Sequence, residues 1–145
     1  MKLVDSNVLL YADNEEAIQH QVASAWLESV LNGNEALLVP WVSAVAYLRI
    51  STHRGIYSNP NTVEESCDFL RAVLAPAHVM TGEPDSRHLD RVATLLSATG
   101  VGGNLVNDAH LGALALQYDA TVISFDNDFG RFPGVRWERP IPTGG

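Results

Sequence analysis

Cysteine, lysine and long apolar runs are scarce in this sequence of 145 residues. The single cysteine, Cys67, cannot form an internal disulfide and has no second thiol with which to bind a metal, which fits a reducing cytoplasm. No stretch approaches the ~18 consecutive apolar residues that a membrane span requires. The first residues carry a lone lysine, Lys2, and an apolar run that Asp5 interrupts, which is not the pattern of a secretory signal. We therefore expect a cytoplasmic protein with no membrane partner.

Positive charge is also in short supply. Nine lysine and arginine residues stand against 17 aspartate and glutamate residues, and the net charge is -8. This balance disfavours broad capture of nucleic acid, because such binding depends on Lys and Arg displacing counterions from phosphates. An acidic chain can still act on RNA if its carboxylates hold divalent cations, since the bound ions reverse the charge presented to phosphate. The same acidity suits a basic protein partner.

Apolar segments and helical periodicity predict an α/β fold in a single domain, residues 1–145. With 46% hydrophobic residues, the chain suffices for one complete core and is too short for two. Segments of helical spacing alternate with short apolar strands in the order β-α-α-β-α-α-β-α-α-β. The strands are predicted at 2–5, 36–39, 77–81 and 120–125. Because such strands are typical of sheets covered on both faces, we expect three layers, with a central, mostly parallel sheet and helices on each side.

Acidic side chains occur where an α/β protein usually builds its site, at the carboxyl ends of parallel strands. Asp5 directly follows the first strand, and Asp126 directly follows the last, with Asp128 two residues further on. Asp108 lies in the first turn of the preceding helix, which runs antiparallel to the last strand and should bring it to the same rim. Asn104, four residues earlier, should share the helical face of Asp108. Taken alone, the asparagine is explained by a helix cap, and the later acids by a solvated loop.

Convergence of these carboxylates favours a metal site. Two carboxylates ~5 Å apart repel each other by about 3 kcal/mol at an effective dielectric constant of ~20. A cluster can share protons through raised pKa values, but oxygen ligands without histidine or cysteine are better matched by Mg²⁺ or Mn²⁺. The five histidines show no metal-ligand spacing. A hard cation that bridges a phosphate lowers the pKa of a bound water and stabilises the leaving oxygen, so the pattern indicates phosphodiester hydrolysis.

Three segments form distinct motif blocks, at residues 4–9 (VDSNVL), 103–111 (GNLVNDAHL) and 124–129 (SFDNDF). They resemble the signature blocks of PIN domains, in the family's order and spacing across nearly the whole chain. The form of the second block and the later run 131–137 (RFPGVRW) are similar to a mycobacterial-type group of VapC toxins. The resemblance implies a PIN-like fold, a homodimer, divalent-metal-dependent endoribonuclease activity and inhibition by a small VapB-type antitoxin. The implied function is the toxin component of a type II toxin–antitoxin system that cuts RNA, possible substrates including tRNA, with a metal-activated water.

The resemblance also implies roles for individual residues. The metal-binding and catalytic acids would be Asp5, Asp108 and Asp126. Asp128 would be an accessory acid. The side chains that orient carboxylates or water by hydrogen bonds would be Asn7, Asn104 and Ser124.

One position departs from the family pattern. PIN domains commonly carry a second acid, usually Glu, on the helix after the second strand, but Ala46 is aligned there and residues 36–63 contain no Asp or Glu. The number of metal ions and the strength of cleavage therefore stay open. Arg49, three residues later, could contact a substrate phosphate or an antitoxin carboxylate, whereas pairing with a local acid is the commoner role of such an arginine.

Two other functions are compatible with parts of the pattern. The chain could keep the PIN fold and bind RNA or antitoxin with weak or no cleavage, which the alanine at position 46 favours. A Mg²⁺-dependent phosphatase of the haloacid-dehalogenase type also places an Asp after its first strand. Its motif, however, normally has a second Asp two residues on, where this chain has Asn7, and a downstream lysine that this chain lacks.

Overall fold

A computed structural model describes residues 1–141 of the protein, and within them it contains a five-stranded parallel sheet. The strands are β1 (Lys2–Val4), β2 (Leu37–Leu38), β3 (Val79–Met80), β4 (Thr121–Ile123) and β5 (Trp137–Glu138). Their order across the sheet is β3-β2-β1-β4-β5, and each neighbouring pair is parallel. Residues 142–145 of the predicted domain lie outside the described residues.

Six α-helices connect the strands in this part of the chain. They are α1 (Ser6–Asp13), α2 (His20–Asn32), α3 (Trp41–Ser51), α4 (Val63–Leu74), α5 (His88–Thr99) and α6 (Val106–Tyr118). Two short 3₁₀ helices lie at Gly103–Leu105 and Asn127–Arg131. Within residues 1–141, none of the helices combines the length and the apolar character needed to cross a membrane.

Successive strand residues alternate between two hydrophobic cores, one on each face of the sheet. Val4 and Ile123 pack with residues of α1 to α4, whereas Leu3 and Val122 pack with residues of α5 and α6. Because neighbouring side chains of a strand point to opposite faces and both faces are covered, the central strands β1 and β4 carry buried apolar residues on both sides. The predicted three-layer α/β fold, with a parallel sheet and helices on both faces, is confirmed.

Strands β1 and β4 lie side by side in the sheet although most of the chain separates them in sequence. Val4 pairs with Ile123, and the Asp5 N–H donates to the Ile123 carbonyl oxygen at 3.0 Å. The carboxyl ends of both strands therefore open at the same edge. The first turn of α6 reaches this edge as well, since Asp108 and Asp5 line the same cavity.

The fifth strand is absent from the sequence prediction. β5 is two residues long, and one of them, Glu138, is charged. Its backbone is held at the sheet edge by a hydrogen bond from Val122 N–H to the Arg136 carbonyl oxygen at 2.9 Å. A further bond runs from Ser124 N–H to the Glu138 carbonyl oxygen at 3.2 Å. Such a strand has no apolar alternation, so no local pattern indicates it.

The second helix is shorter than its periodicity predicts. The spacing favours a helix over 15–31, but α2 begins only at His20. Residues 15–19 form turns instead, in which the side chain of Asn14 accepts a hydrogen bond from Glu16 N–H at 3.1 Å. Asparagine competes with a helix in this way because its side chain satisfies nearby backbone donors.

Candidate metal centre

Asp5 lies at the carboxyl end of β1, where it caps the first turn of α1. Its Oδ1 accepts a hydrogen bond from Ser6 N–H at 2.7 Å, and its Oδ2 accepts one from the Ser124 hydroxyl at 2.7 Å. The residue is only 8% exposed. Burial disfavours the charged carboxylate and raises the pKa of Asp5, while the hydrogen bonds from Ser124 and Ser6 oppose that rise. Both oxygens are therefore held in one orientation.

Ser124 and Asn7 join the ends of β1 and β4 behind this carboxylate. The Ser124 hydroxyl accepts hydrogen bonds from Asn7 Nδ2 at 3.1 Å and from Asp126 N–H at 2.9 Å while it donates to Asp5. Asn7 Oδ1 in turn accepts a hydrogen bond from Phe125 N–H at 3.2 Å. A hydroxyl has one donor and two acceptor positions, so every position of this buried hydroxyl is used.

Three further carboxylates meet beside Asp5. One oxygen from each of Asp108, Asp126 and Asp128 lies within 4.8 Å of the others. Asp108 occupies the first turn of α6. Asp126 caps the 3₁₀ helix after β4, and its Oδ1 accepts a hydrogen bond from Asp128 N–H at 2.9 Å. This cap turns the chain so that the acid two residues after Asp126 joins the cluster.

All four acids line one cavity of about 350 Å³ at the edge where β1 and β4 end. The lining residues are Asp5, Ser6, Asn7, Val42, Ser43, Ala46, Arg49, Ile50, Asn104, Asn107, Asp108, Leu111, Asp126 and Asp128. Of the residues predicted for the site, Ser124 alone is outside this list, and it reaches the cavity through its bond to Asp5. Asn107 was not predicted for the site, yet it lines the cavity, next to the predicted Asp108 and three residues after the predicted Asn104.

The neighbouring acids disfavour the charged form of Asp108. Burial, a hydrogen bond with Asp126 and repulsion from the Asp126, Asp5 and Asp128 carboxylates raise the pKa of Asp108 to about 8. Without a counter-ion the cluster therefore retains a proton at neutral pH. A divalent cation would offset the same repulsion, and the lining residues offer it oxygen ligands without histidine or cysteine. The donor set thus fits a hard divalent cation.

The wall contributed by α3 carries no acid. Ala46, where the family resemblance led us to expect Glu, lines the cavity. Ser43, one turn earlier, donates its hydroxyl hydrogen to the Val4 carbonyl oxygen at 2.9 Å. Arg49 lines the same wall and is exposed. Among the ion pairs and side-chain hydrogen bonds of residues 1–141, none involves its guanidinium group. The structure therefore does not pair Arg49 with a local acid, which was the commonest role expected of it.

Comparisons with known proteins agree on one family. Residues 2–135 match the PIN domain family. The chain is 41% identical over 140 residues to Ribonuclease VapC37 of Mycobacterium tuberculosis, and the match covers 97% of each chain. It is 34% identical over 140 residues to Ribonuclease VapC25 of the same organism, covering 97% of this chain and 99% of the relative.

Solved structures show the same fold at lower sequence identity. The VapBC2 structure from Rickettsia felis, bound to a DNA fragment from its promoter, matches with a TM-score of 0.66 and 19% identity over 95% of this chain and 97% of that one. VapBC-1 from nontypeable Haemophilus influenzae matches with a TM-score of 0.64 and 18% identity over 95% of this chain and 96% of the other. By its family match and by its identity with these mycobacterial relatives over almost its full length, the chain belongs to the PIN-domain family and, within it, to the VapC ribonucleases.

Proposed function

We propose that this chain is the toxin of a type II toxin–antitoxin pair and that it acts as a divalent-metal-dependent endoribonuclease. The observation that carries this proposal is the meeting of Asp5, Asp108, Asp126 and Asp128 in one cavity of a VapC-type PIN fold. These acids come from three separate segments: the end of β1, the first turn of α6 and the loop after β4. Bringing them together does not stabilise the fold, because the repulsion between carboxylates costs free energy.

The carboxylates of Asp108, Asp126 and Asp128 would hold the cation, with Asp5 as a further ligand. All are oxygen donors, which suits Mg²⁺ or Mn²⁺ better than the softer transition metals. When bound, such a cation supplies Lewis acidity and a water of lowered pKa for attack on a phosphodiester.

Other polar residues in or next to the cavity orient these ligands. Ser124 and Asn7 hold the Asp5 carboxylate by hydrogen bonds, which is the usual way in which a metal ligand is oriented. Asn104, exposed at the rim, is positioned to hydrogen bond with substrate or water. The proton retained near Asp108 must leave before all four carboxylates are charged.

Partners and location follow from the same family membership. A basic segment of a VapB-type antitoxin would complement the acidic cavity and the net charge of -8. The substrate is RNA, with tRNA as a candidate. The remaining proposals are that residues 1–145 form one PIN domain, that two copies form a homodimer and that the protein acts in the cytoplasm.

Cleavage by the purified protein tests the activity. The parent and Asp108→Asn are freed of antitoxin under denaturing conditions, refolded and incubated with total tRNA and with messenger RNA in Mg²⁺ or Mn²⁺. Asp68→Asn, on the exposed face of α4, serves as the matched control. We expect the parent and the control to cut and Asp108→Asn to lose at least about 100-fold in rate, as removal of a single group in a catalytic centre does. Products should carry 3′-hydroxyl and 5′-phosphate ends, and a 2′,3′-cyclic phosphate would rule out metal-activated water as the nucleophile.

A second function, binding without useful cleavage, is favoured by Ala46 on the α3 wall. It predicts that the refolded parent binds RNA or antitoxin but leaves RNA intact with either metal. That result would replace the nuclease proposal. The phosphatase alternative has no support from the PIN-domain match.

A further inference from the structure

The α3 wall of the cavity presents a single positive charge. Val42, Ala46 and Arg49 recur at spacings of three and four residues, which places them on one face of the helix, and all line the cavity. Arg49 is the only lysine, arginine or histidine among the residues that line this cavity within positions 1–141. Ala46, one turn before it, adds only a methyl group to the wall. Neither a carboxylate nor bulk at that position competes for the guanidinium group.

Arg49 lacks a protein partner although four carboxylates line the same cavity. Within the described chain, no carboxylate oxygen lies within 4.0 Å of its guanidinium nitrogens, and its side chain makes no hydrogen bond there. Some other arginines of this protein find acidic partners: Arg91 contacts Asp85 at 2.6 Å, and Arg71 contacts Asp68 at 2.7 Å. The cation on the cavity wall is therefore free for a ligand.

A phosphate that approaches this cavity needs a positively charged side chain such as Arg49. The chain is acidic overall, with a net charge of -8, and the acids themselves repel an anion. A cation held by Asp108 and Asp126 would offset part of that repulsion, and α3 carries no acid with which to hold one. A guanidinium group offers donors in a planar fork that matches two oxygens of a phosphate.

Building on the proposed function, we infer that Arg49 binds a phosphate of the RNA backbone at the cavity and so positions the substrate against the acids. The ligand is a phosphodiester group of the RNA backbone. Its two non-bridging oxygens accept hydrogen bonds from the guanidinium nitrogens. Arg49 thereby supplies affinity and register, while the acids of the same cavity would hold the metal ion.

Binding of a fluorescein-labelled, mixed-sequence single-stranded RNA tests this role. The comparison uses Asp108→Asn in Mg²⁺, so that RNA is bound and not cut, with and without Arg49→Ala or Arg49→Lys. Arg71→Ala in the same background is the control, because its side chain is 72% exposed and lies on α4, outside the cavity. We expect Arg49→Ala to weaken binding about 10- to 100-fold, as loss of a hydrogen-bonded charge pair does. Arg49→Lys should recover part of the loss, and the control should stay within about twofold of its parent.

The salt dependence of RNA affinity distinguishes phosphate binding from a purely structural role, because a structural role would leave it unchanged. The slope of log affinity against log salt concentration should become shallower by about 0.7 in Arg49→Ala, the value for one phosphate contact on a single strand. The melting temperature should be unchanged, because the side chain is exposed and makes no bond within the described chain. Mn²⁺ affinity of Arg49→Ala in an otherwise wild-type chain should be unchanged or slightly tighter, because a positive charge has left the cavity.

The outcomes separate this inference from the proposed function. Arg49→Ala with unchanged RNA affinity and unchanged salt slope overturns the phosphate role. If RNA binding is unchanged but capture of a VapB-type antitoxin is weakened, Arg49 serves an antitoxin carboxylate instead, and the inference is also overturned. If the parent never cuts RNA but Arg49→Ala still lowers RNA affinity and the salt slope, the nuclease proposal fails while the phosphate role stands.

Discussion

The hydroxyl of Ser124 donates a 2.7 Å hydrogen bond to Oδ2 of Asp5 and thereby joins residues 119 positions apart in the chain. The hydroxyl oxygen of Ser124 also accepts hydrogen bonds from Asn7 Nδ2 and Asp126 N–H. One hydroxyl thus orients the acid that follows β1 and the backbone that carries an acid after β4. It is buried, so the loss of any of these bonds leaves a polar group unsatisfied.

Ser124→Ala should therefore affect both stability and the acids. We expect a loss of about 1–3 kcal/mol in the free energy of unfolding, since the Asn7 and Asp126 donors lose their acceptor. The pKa of Asp5 should rise further, because the bond from Ser124 lowers it. Urea unfolding measures the first effect, and the pH dependence of RNA cleavage, with its acidic limb moved to higher pH, measures the second.

Ser51→Ala is the matched control for that variant. Ser51 is also a buried serine, and its hydroxyl lies 2.7 Å from that of Ser66, away from the cavity. Its replacement should lower stability without moving the pH profile. If both variants shift the profile equally, Ser124 has no particular role in orienting Asp5.

Asp108→Asn should stabilise the metal-free protein at alkaline pH while abolishing cleavage. The folded-state pKa of Asp108 is raised from 3.8 to about 8, so its charged form is disfavoured by folding. The protonated group costs little below pH 4, and the parent loses stability as the pH rises from about 4 through 8. Asparagine removes that loss, and we expect a gain of about 1–2 kcal/mol at pH 8.5 in EDTA, a value reduced because solvent screens a half-buried carboxyl group.

Urea unfolding at pH 5 and pH 8.5 checks this expectation. The gain from Asp108→Asn should be smaller at pH 5 than at pH 8.5. Asp68→Asn, which removes an exposed carboxyl group outside the cavity, is the control substitution. A variant less stable than the parent at pH 8.5 would contradict the repulsion argument.

Cation binding should release a proton. Because Asp108 retains a proton below pH 8 and a metal ligand must be ionised, apparent Mn²⁺ affinity should rise with pH, by at most about tenfold per unit, and level off above pH 8. Calorimetric titrations at pH 6.5, 7.5 and 8.5, in buffers of different ionisation enthalpy, measure both the affinity and the released proton. Affinity independent of pH across this range would show that the acids are already ionised.

Ala46→Glu should strengthen the metal site. The alanine lines the cavity, so a longer side chain can extend into it and add a carboxylate on the α3 wall. We expect Mn²⁺ affinity to rise by about tenfold and the metal-free protein to become less stable at pH 8, since another negative charge joins the cluster. Ala46→Gln, of the same size and without charge, is the control and should leave the affinity close to that of the parent.

Much of the fold could be predicted because its signals are local. A strand buried on both faces must be apolar on both sides, and Leu3-Val4 and Val122-Ile123 meet that requirement. The acids that follow these strands could be predicted to share an edge, because the carboxyl ends of parallel strands meet there. By contrast, β5 is charged and two residues long, and backbone bonds at the sheet edge hold it in place.

Some features of the cavity could likewise be predicted from the sequence, and others depend on the tertiary structure. Residue type, spacing and the three motif blocks predict Asp5, Asp108 and Asp126 as site residues from the chain alone. The grouping of Asp128 with two of them depends on a 3₁₀ turn capped by Asp126. The unpaired state of Arg49 depends on where four separate segments lie relative to α3.

The order of helices and strands along the chain and the choice of oxygen ligands are therefore properties of local pattern, since burial and periodicity act on neighbouring residues, whereas the order of the strands across the sheet is decided by packing. Packing alone brings charges from distant segments close enough to raise the pKa of Asp108 to about 8. Such coupling depends on distances between groups more than a hundred residues apart, and Coulomb repulsion is significant only when folding has made those distances short and removed the water between them.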